Sequence, residues 1–178
     1  MSKLKKLLIA LVVLLAGLAI FVAMQPDDYR LTRSTTIAAP AAAIFPHVND
    51  LHRWEDWSPW AKVDPNAKIA FAGAPAGQGA VFKWDGNSKI GTGTMTIIES
   101  RPSDLIRIKT DFVKPFAGTS NTEFVFSQMG DQTNVIWTMS GTHNFIGKAM
   151  CLVYSMEQML GPEFEKGLAQ MKRVVEGK

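Results

Sequence analysis

The sequence predicts an α+β domain: a curved antiparallel sheet wrapped around one long C-terminal helix, with two short helices, behind an N-terminal apolar helix. Three observations predict it. Between Lys68 and His143, stretches of alternating apolar and polar residues recur about every ten residues, separated by hairpin-length turns. From about Gly147 to Val175, apolar side chains step by threes and fours, the spacing of one helical face. Leu7 to Met24 runs eighteen residues without a polar side chain.

That apolar run comes first in the chain. At about 1.5 Å rise per residue it spans roughly 27 Å, close to the thickness of a bilayer's hydrocarbon core. Lys3, Lys5 and Lys6 precede it, and Asp27 and Asp28 follow it. This asymmetry predicts an N-terminus in the cytoplasm and the remainder outside, in an extracytoplasmic or periplasmic position. The organisation expected is a basic end over 1–6, a transmembrane anchor over 7–24, a short linker over 25–28 and one domain over 29–178. The rival is a cleaved signal peptide, whose apolar region is about 7–15 residues long with small residues at the cut. Here the run is longer, and a cut after Ala23 would put bulky Phe21 three positions back. No cysteine lies near its end to carry a lipid.

Tyr29 to Ile37 reads as a strand, with Leu31, Arg33, Thr35 and Ile37 in one phase. Pro40 suits the first turn of a short helix over Ala41–Val48, with Ile44, Phe45 and Val48 on one side and Pro46 as a local conflict. Asn49-Asp50 can cap a second short helix over Leu51–Trp57, which Ser58-Pro59 stops. Lys68–Ala72 is a weak strand and Ala80–Trp84 a better one. Asp85-Gly86-Asn87 is a hairpin turn signal before a strand over Lys89–Ser100. Arg101–Asp104 turns into Leu105–Phe112, and Lys114-Pro115 breaks the run. Ser120–Gln128 and Asn134–His143 follow, joined by a turn at Met129–Gln132. In the closing helix, Leu152, Met156 and Met159 add a second apolar stripe, and Gly161-Pro162 predicts a break or kink near the middle.

Composition excludes several classes. The net charge of +3 comes from 19 basic against 16 acidic residues; setting aside the three lysines before the apolar run leaves a balanced domain. Such a domain lacks the basic footprint of a nucleic-acid binder. Cys151 is the only cysteine, so no intrachain disulfide forms, and its apolar setting argues against a nucleophile. His47 and His52 are five apart, off the spacing of helical metal ligands, and no phosphate loop, nucleophile elbow or dinucleotide fingerprint occurs. No cofactor is expected. Three of the five tryptophans lie in Trp54–Trp60. Trp54 and Trp57 are expected to pack onto the sheet, while Pro59 turns the chain and leaves Trp60 nearer a ligand.

Several stretches resemble the SRPBCC superfamily, which includes START-related lipid-transfer domains, birch-pollen-allergen-like proteins and the polyketide cyclase/dehydrase and lipid-transport family. Ser34–Trp60 looks like its first strand and two short helices, and Phe82–Met95 like its central hairpin. Thr133–Gly141 looks like its last strand, and Gly161–Lys172 like its closing helix. The second and fourth of these look most like a membrane-anchored or stand-alone bacterial subgroup. The resemblance covers about Tyr29 to Lys178. It implies a helix-grip fold with a cavity between sheet and helix, in which most members hold an apolar ligand and a minority catalyse cyclisation or dehydration. No catalytic motif carries over.

Three readings follow. The first is a membrane-anchored binding protein for a lipid or other small hydrophobic ligand. Its pocket would be lined by Trp60, Phe82, Trp84, Trp137 and Met139 from loop and sheet, and by Met156, Leu160 and Phe164 from the helix. The second is a cyclase-like enzyme using Glu123, Asp111 or a histidine as the acid–base group, although alternation places Glu123 on the solvent side. The third is an interaction domain whose cavity its own side chains fill. The predicted topology has a direct test: a phosphatase that folds only outside the cytoplasm, fused after Lys178, should be active, whereas activity of a cytoplasm-only reporter there would reverse the orientation.

Overall fold

A computed structural model describes residues 2–177. The N-terminal helix α1 (Lys3–Ala23) contains an eighteen-residue stretch of mean hydropathy 2.8 and is long and apolar enough to cross a membrane, a property that signal sequences share. After it come β1 (Asp28–Ile37), α2 (Ala41–Asn49), a 3-10 turn (Leu51–Arg53) and the single turn α3 (Trp54–Trp57). Six strands follow: β2 (Lys68–Gly73), β3 (Ala80–Asp85), β4 (Thr92–Arg101), β5 (Leu105–Lys114), β6 (Gly118–Met129) and β7 (Gln132–Thr142). The chain closes with α4 (Phe145–Cys151) and α5 (Met156–Glu176).

The seven strands form one antiparallel sheet in the order β1-β7-β6-β5-β4-β3-β2. β2 to β7 are a meander, and β1 joins the far side of β7, with Leu31 opposite Met139 and Arg33 opposite Trp137. A strand's side chains alternate between faces, so the register defines rows across the inner face. One row crosses every strand: Tyr29, Gly141, Ser120, Thr110, Met95, Phe82 and Phe71. Helix α5 lies along β1 and covers that edge, which would otherwise invite pairing with another chain. Arg33 of β1 pairs with Glu157 and, at 2.8 Å, with Glu165; Lys172 Nζ donates to the Thr36 carbonyl at 2.7 Å; Glu176 accepts from Ala38 N at 2.9 Å.

The core gathers where α2, α3 and α5 meet the sheet. Ile44, Val48, Trp57, Phe124, Val135 and Met171 are all fully buried there. Asp50 caps the 3-10 turn through a 3.0 Å bond from His52 N. Trp54 Nε1 donates to the Val48 carbonyl (3.0 Å) and Trp57 Nε1 to the His47 carbonyl (2.8 Å), so both indoles are buried without orphaning their N–H groups. α2 runs through Pro46 because packing of Ile44, Phe45 and Val48 outweighs one lost backbone bond.

Three expectations need correction. The closing helix is not continuous from Gly147: the chain leaves helical geometry between Cys151 and Met156, where Ser155 and Gln158 form a capping box that starts α5. Gly161-Pro162 therefore lies inside an unbroken helix, and Gly161 serves the close passage of Arg33, whose Nη2 a Cβ there would meet at 2.6 Å. The apolar stripes are also narrower than the pattern implies. Met150, Leu152, Val153 and Met159 are exposed, because they precede or turn away from the face that meets the sheet. Finally, Asp85-Gly86-Asn87 does not make a tight hairpin. β4 begins at Thr92, and the longer loop is held by Gly91 N donating to the Asn87 carbonyl (2.8 Å) and Asn87 N donating to the Asp64 carboxylate (2.7 Å).

The packing separates the two tryptophans that flank Pro59. Trp57 is fully buried and Trp60 is half-buried. Trp57→Ala should cost about 3–5 kcal/mol in denaturant melts. Trp60→Ala should cost much less; the reverse ranking would overturn this assignment.

Candidate functional site

The two halves of the inner face are covered differently. At the closed end, rings fill the space: Phe45 packs on Phe126 (5.5 Å between centroids), and Trp54 and Trp57 pack edge-on to Phe124 (6.1 and 6.0 Å). Over β3, β4 and β5 the inner face is divided: Ile97, Ile106 and Ile108 are fully buried, while Phe82, Trp84, Met95 and Phe112 are only half-buried. Apolar side chains that point inward yet meet solvent mark the part of the inner face left uncovered, the candidate groove. Here the rings step across the strands, Phe71–Phe82 at 5.5 Å, Phe82–Trp84 at 6.0 Å and Trp84–Phe112 at 6.0 Å. Gly93 makes room for this: a Cβ there would meet the Trp84 ring at 2.5 Å. Trp84 Nε1 donates to the Ile90 carbonyl at 3.0 Å, which anchors the ring.

The eight residues expected to line a pocket fall into two groups on this face. Trp137 stacks on Phe164 at 3.9 Å, and Trp60 stands edge-on to both, at 6.0 and 6.2 Å. Met139 is the next inner residue of β7 and is buried; Leu160 and Met156, from the first turns of α5, are half-buried. Phe82 and Trp84 stand together on β3, across the groove. Met95 and Thr110 are opposite one another in the register between the two groups. Two surface depressions lie elsewhere, and none of the eight lines them. One of about 670 Å³ runs between β1 and α5 beside Ser34, Glu165 and Lys172. One of about 410 Å³ lies beside Ala23, Asp27, His143 and Lys148.

A row of hydroxyls was not anticipated from the sequence. Thr110, Ser120 and Thr122 are buried on the inner face, and Tyr29 joins Ser120 in the seven-strand row through Gly141. The signal was available: these three occupy the apolar phase of strands that otherwise present Ile106, Ile108, Phe112, Phe124 and Phe126. Gly141 holds the tyrosine close, since a Cβ there would meet Tyr29 Oη at 2.8 Å. Burial pushes the Tyr29 phenol above its ordinary value; the Ser120 hydroxyl opposes that shift, and Cys151 adds to it. Ser120 Oγ nevertheless meets no partner in hydrogen-bonding geometry, and Trp137 Nε1 has none either. Two unpartnered polar atoms thus sit in an apolar wall, where each costs about 1–3 kcal/mol.

The acidic candidates for catalysis lie outside this wall. Glu123 accepts from Arg107 (2.8 Å), and Asp111 accepts from Thr119 (2.7 Å) and pairs with Lys109 (3.0 Å), all on the outer face. Of the histidines, His52 stacks on Phe71 at 3.8 Å, and His143 stacks on Tyr29 at 4.7 Å with Nε2 3.5 Å from Cys151 Sγ. Among the described residues, no three His, Cys, Asp or Glu side chains converge as metal ligands.

The Tyr29–Ser120 contact has a spectroscopic test. The chain has two tyrosines, so Tyr154→Phe isolates Tyr29 in an absorbance titration of the phenolate. Tyr29 should ionise above the ordinary value of about 10. Ser120→Ala should move it only slightly upward, because burial is the larger cause and the hydroxyl lies beside the phenol without hydrogen-bonding geometry. A downward shift would show that the contact is misassigned.

The sequence matches the family model described as polyketide cyclase / dehydrase and lipid transport over residues 29–176. No curated protein matches it. Among solved structures it is similar to the di-domain ARO/CYC BexL from the BE-7585A biosynthetic pathway, with a TM-score of 0.63 and 16% identity over 88% of this chain and 53% of that one. It is also similar to the Aha1 dimer from Colwellia psychrerythraea (TM-score 0.60, 15% identity, 83% and 96% of the two chains). Protein CV1439 from Chromobacterium violaceum is similar at a TM-score of 0.56 and 16% identity, over 85% and 99%. At such identities these likenesses speak for the fold, an antiparallel sheet gripping a C-terminal helix. The match over nearly the whole of the folded domain places this chain in the polyketide cyclase/dehydrase and lipid-transport family of the SRPBCC superfamily.

Proposed function

We propose that the domain binds an apolar molecule bearing at least one carbonyl or carboxyl oxygen, in the groove between β3–β5 and α5, while α1 anchors it in a membrane with the domain outside the cytoplasm. The observation that carries this reading is the pair of unpartnered polar atoms in the inner wall, beside inward-facing apolar side chains that solvent reaches. Trp137 Nε1 can only donate, so its natural partner is a ligand oxygen, and Ser120 can donate or accept. The walls are sequence-tolerant contact area: Phe82, Trp84 and Phe112 on one side, Leu160 and Met156 on the other. Met156 adapts to a chain of no fixed shape. A fatty-acyl molecule fits these requirements. Each methylene buried contributes about 0.8 kcal/mol, so half an acyl chain already gives useful affinity. A bilayer beside the domain would supply such molecules at high local concentration.

A cyclase-like reaction in the same groove would have to draw on Tyr29, Ser120, His52 or His143, since Glu123 and Asp111 face outward. The binding reading needs no such chemistry. It is tested by titrating the domain lacking residues 1–25 with a fluorescent fatty acid, with circular dichroism to confirm folding. Saturable uptake is expected, weakened in Ser120→Ala and abolished in Leu160→Glu. Unchanged uptake by a folded Leu160→Glu variant, or none by the wild-type domain, would sink this reading and leave an interaction domain with a self-filled core.

A further inference from the structure

The exposed apolar residues of the folded domain are unevenly distributed, and the largest share lies around α4. No residue of α4 is buried. Phe145, Ile146 and Met150 on the helix are exposed, and the turn that follows adds Leu152, Val153 and Tyr154, the last two 70% and 63% exposed. A contiguous apolar patch of this kind marks an interaction surface.

The fold fixes where this patch sits relative to α1. Asp28 pairs with Thr142 at the end of β7, and His143 N donates to the Asp27 carbonyl at 2.7 Å. α4 begins three residues after Thr142. Its Lys148 reaches back to the carbonyl of Ala23, the last residue of α1, at 3.0 Å, and forms an ion pair with Asp27. The four residues between α1 and β1 span at most about 14 Å. The β5–β6 turn, carrying exposed Phe116, joins the same pole through Asn144 Nδ2 and the Ala117 carbonyl (3.5 Å). The patch and the C-terminal end of α1 therefore form one continuous surface, with a charged pair at the seam.

We infer that α4 and the turn after it dock into the headgroup–acyl boundary of the leaflet from which α1 emerges. This rests on the reading of α1 as a membrane span. Given that span, the Lys148–Asp27 pair lies at headgroup depth, and Phe145, Ile146 and Val153 enter the acyl margin beside it. Tyr154 supplies an amphipathic ring of the kind that favours this depth. The same pole carries the groove end formed by Phe112 and Tyr29, since Gly118 pairs with Phe112 and His143 stacks on Tyr29. Docking thus turns that end of the groove toward lipid, so an acyl chain can pass between bilayer and groove without crossing water.

The test uses the full chain reconstituted in phosphatidylcholine vesicles. In a Cys151→Ser background, Val153→Cys carries an environment-sensitive fluorophore, and Asp131→Cys, at the β6–β7 turn on the opposite pole, is the control. Circular dichroism confirms folding, and Tyr154→Cys replaces Val153→Cys if that variant misfolds. Docking predicts a blue-shifted probe at 153, quenched several-fold by lipids with a shallow nitroxide and protected from aqueous iodide, with the reverse at 131. If 153 is quenched by iodide as strongly as 131 while the chain resists alkaline extraction, docking is overturned and the span stands. If 153 is shielded from iodide and nitroxide alike, another protein surface, such as a second copy, covers the patch, and docking is again overturned. If alkali extracts the chain, the span fails and this inference falls with it.

Discussion

The ring of Trp137 is where the layers of this domain meet. It stacks on Phe164 of α5 at 3.9 Å and on Phe124 of β6 at 5.0 Å, and it receives the edges of Trp57 and Trp60 at 5.6 and 6.0 Å. Helix and sheet can approach this closely only because of Gly167, where a Cβ would meet both Trp137 and Pro59 at 3.0 Å. That contact sets the position of α5, and the Arg33 ion pairs then hold its first turns against β1. Burial of aromatic area contributes most of the stabilisation here. The ion pairs, formed with largely exposed glutamates, contribute direction more than energy.

Placing α5 over β1 has a consequence for the rest of the inner face. A helix is about 10–12 Å wide and strands are about 4.7–4.9 Å apart, so one helix covers two or three strands of seven. The short helices fill one end. What remains uncovered is the part of the face that carries the half-buried rings Phe82, Trp84 and Phe112; Ile97, Ile106 and Ile108 on the same strands belong to the core. The open groove follows from the count of elements, and the residues that line it are the inward phase of strands that would otherwise be core. The polar atoms within it are few and buried, which suits a site that holds an apolar body and recognises one oxygen.

The individual strands were legible because alternation has a short period and each strand is half-buried. Leu105 to Phe112 and Asn134 to His143 display it plainly. The start of α5 was less so. The apolar spacing of Met150, Val153 and Leu160 continues through the break at Leu152–Ser155, since periodicity records where apolar residues fall and not what they touch. Gly161-Pro162 signals a helix end by local preference, yet packing around Arg33 and the upstream cap at Ser155 override it. The Asp85–Asn87 turn failed for a similar reason: Asp64, distant in sequence, holds the loop open.

The sequence by itself determined the fold class, the presence of an apolar N-terminal helix, the burial of Trp54 and Trp57, and the outward placement of Glu123. Each of these depends on local pattern: period, charge asymmetry or spacing within a helix turn. Only the tertiary structure decided that Trp137 and Phe164 stack while Phe82 and Trp84 stand apart, that Thr110, Ser120 and Tyr29 align across strands, and that α4 lies exposed beside the end of α1. Those facts depend on strand register and on the pairing of β1 with β7, which join residues about a hundred positions apart in the chain. No local pattern encodes that distance; it is settled when the sheet closes over Trp137.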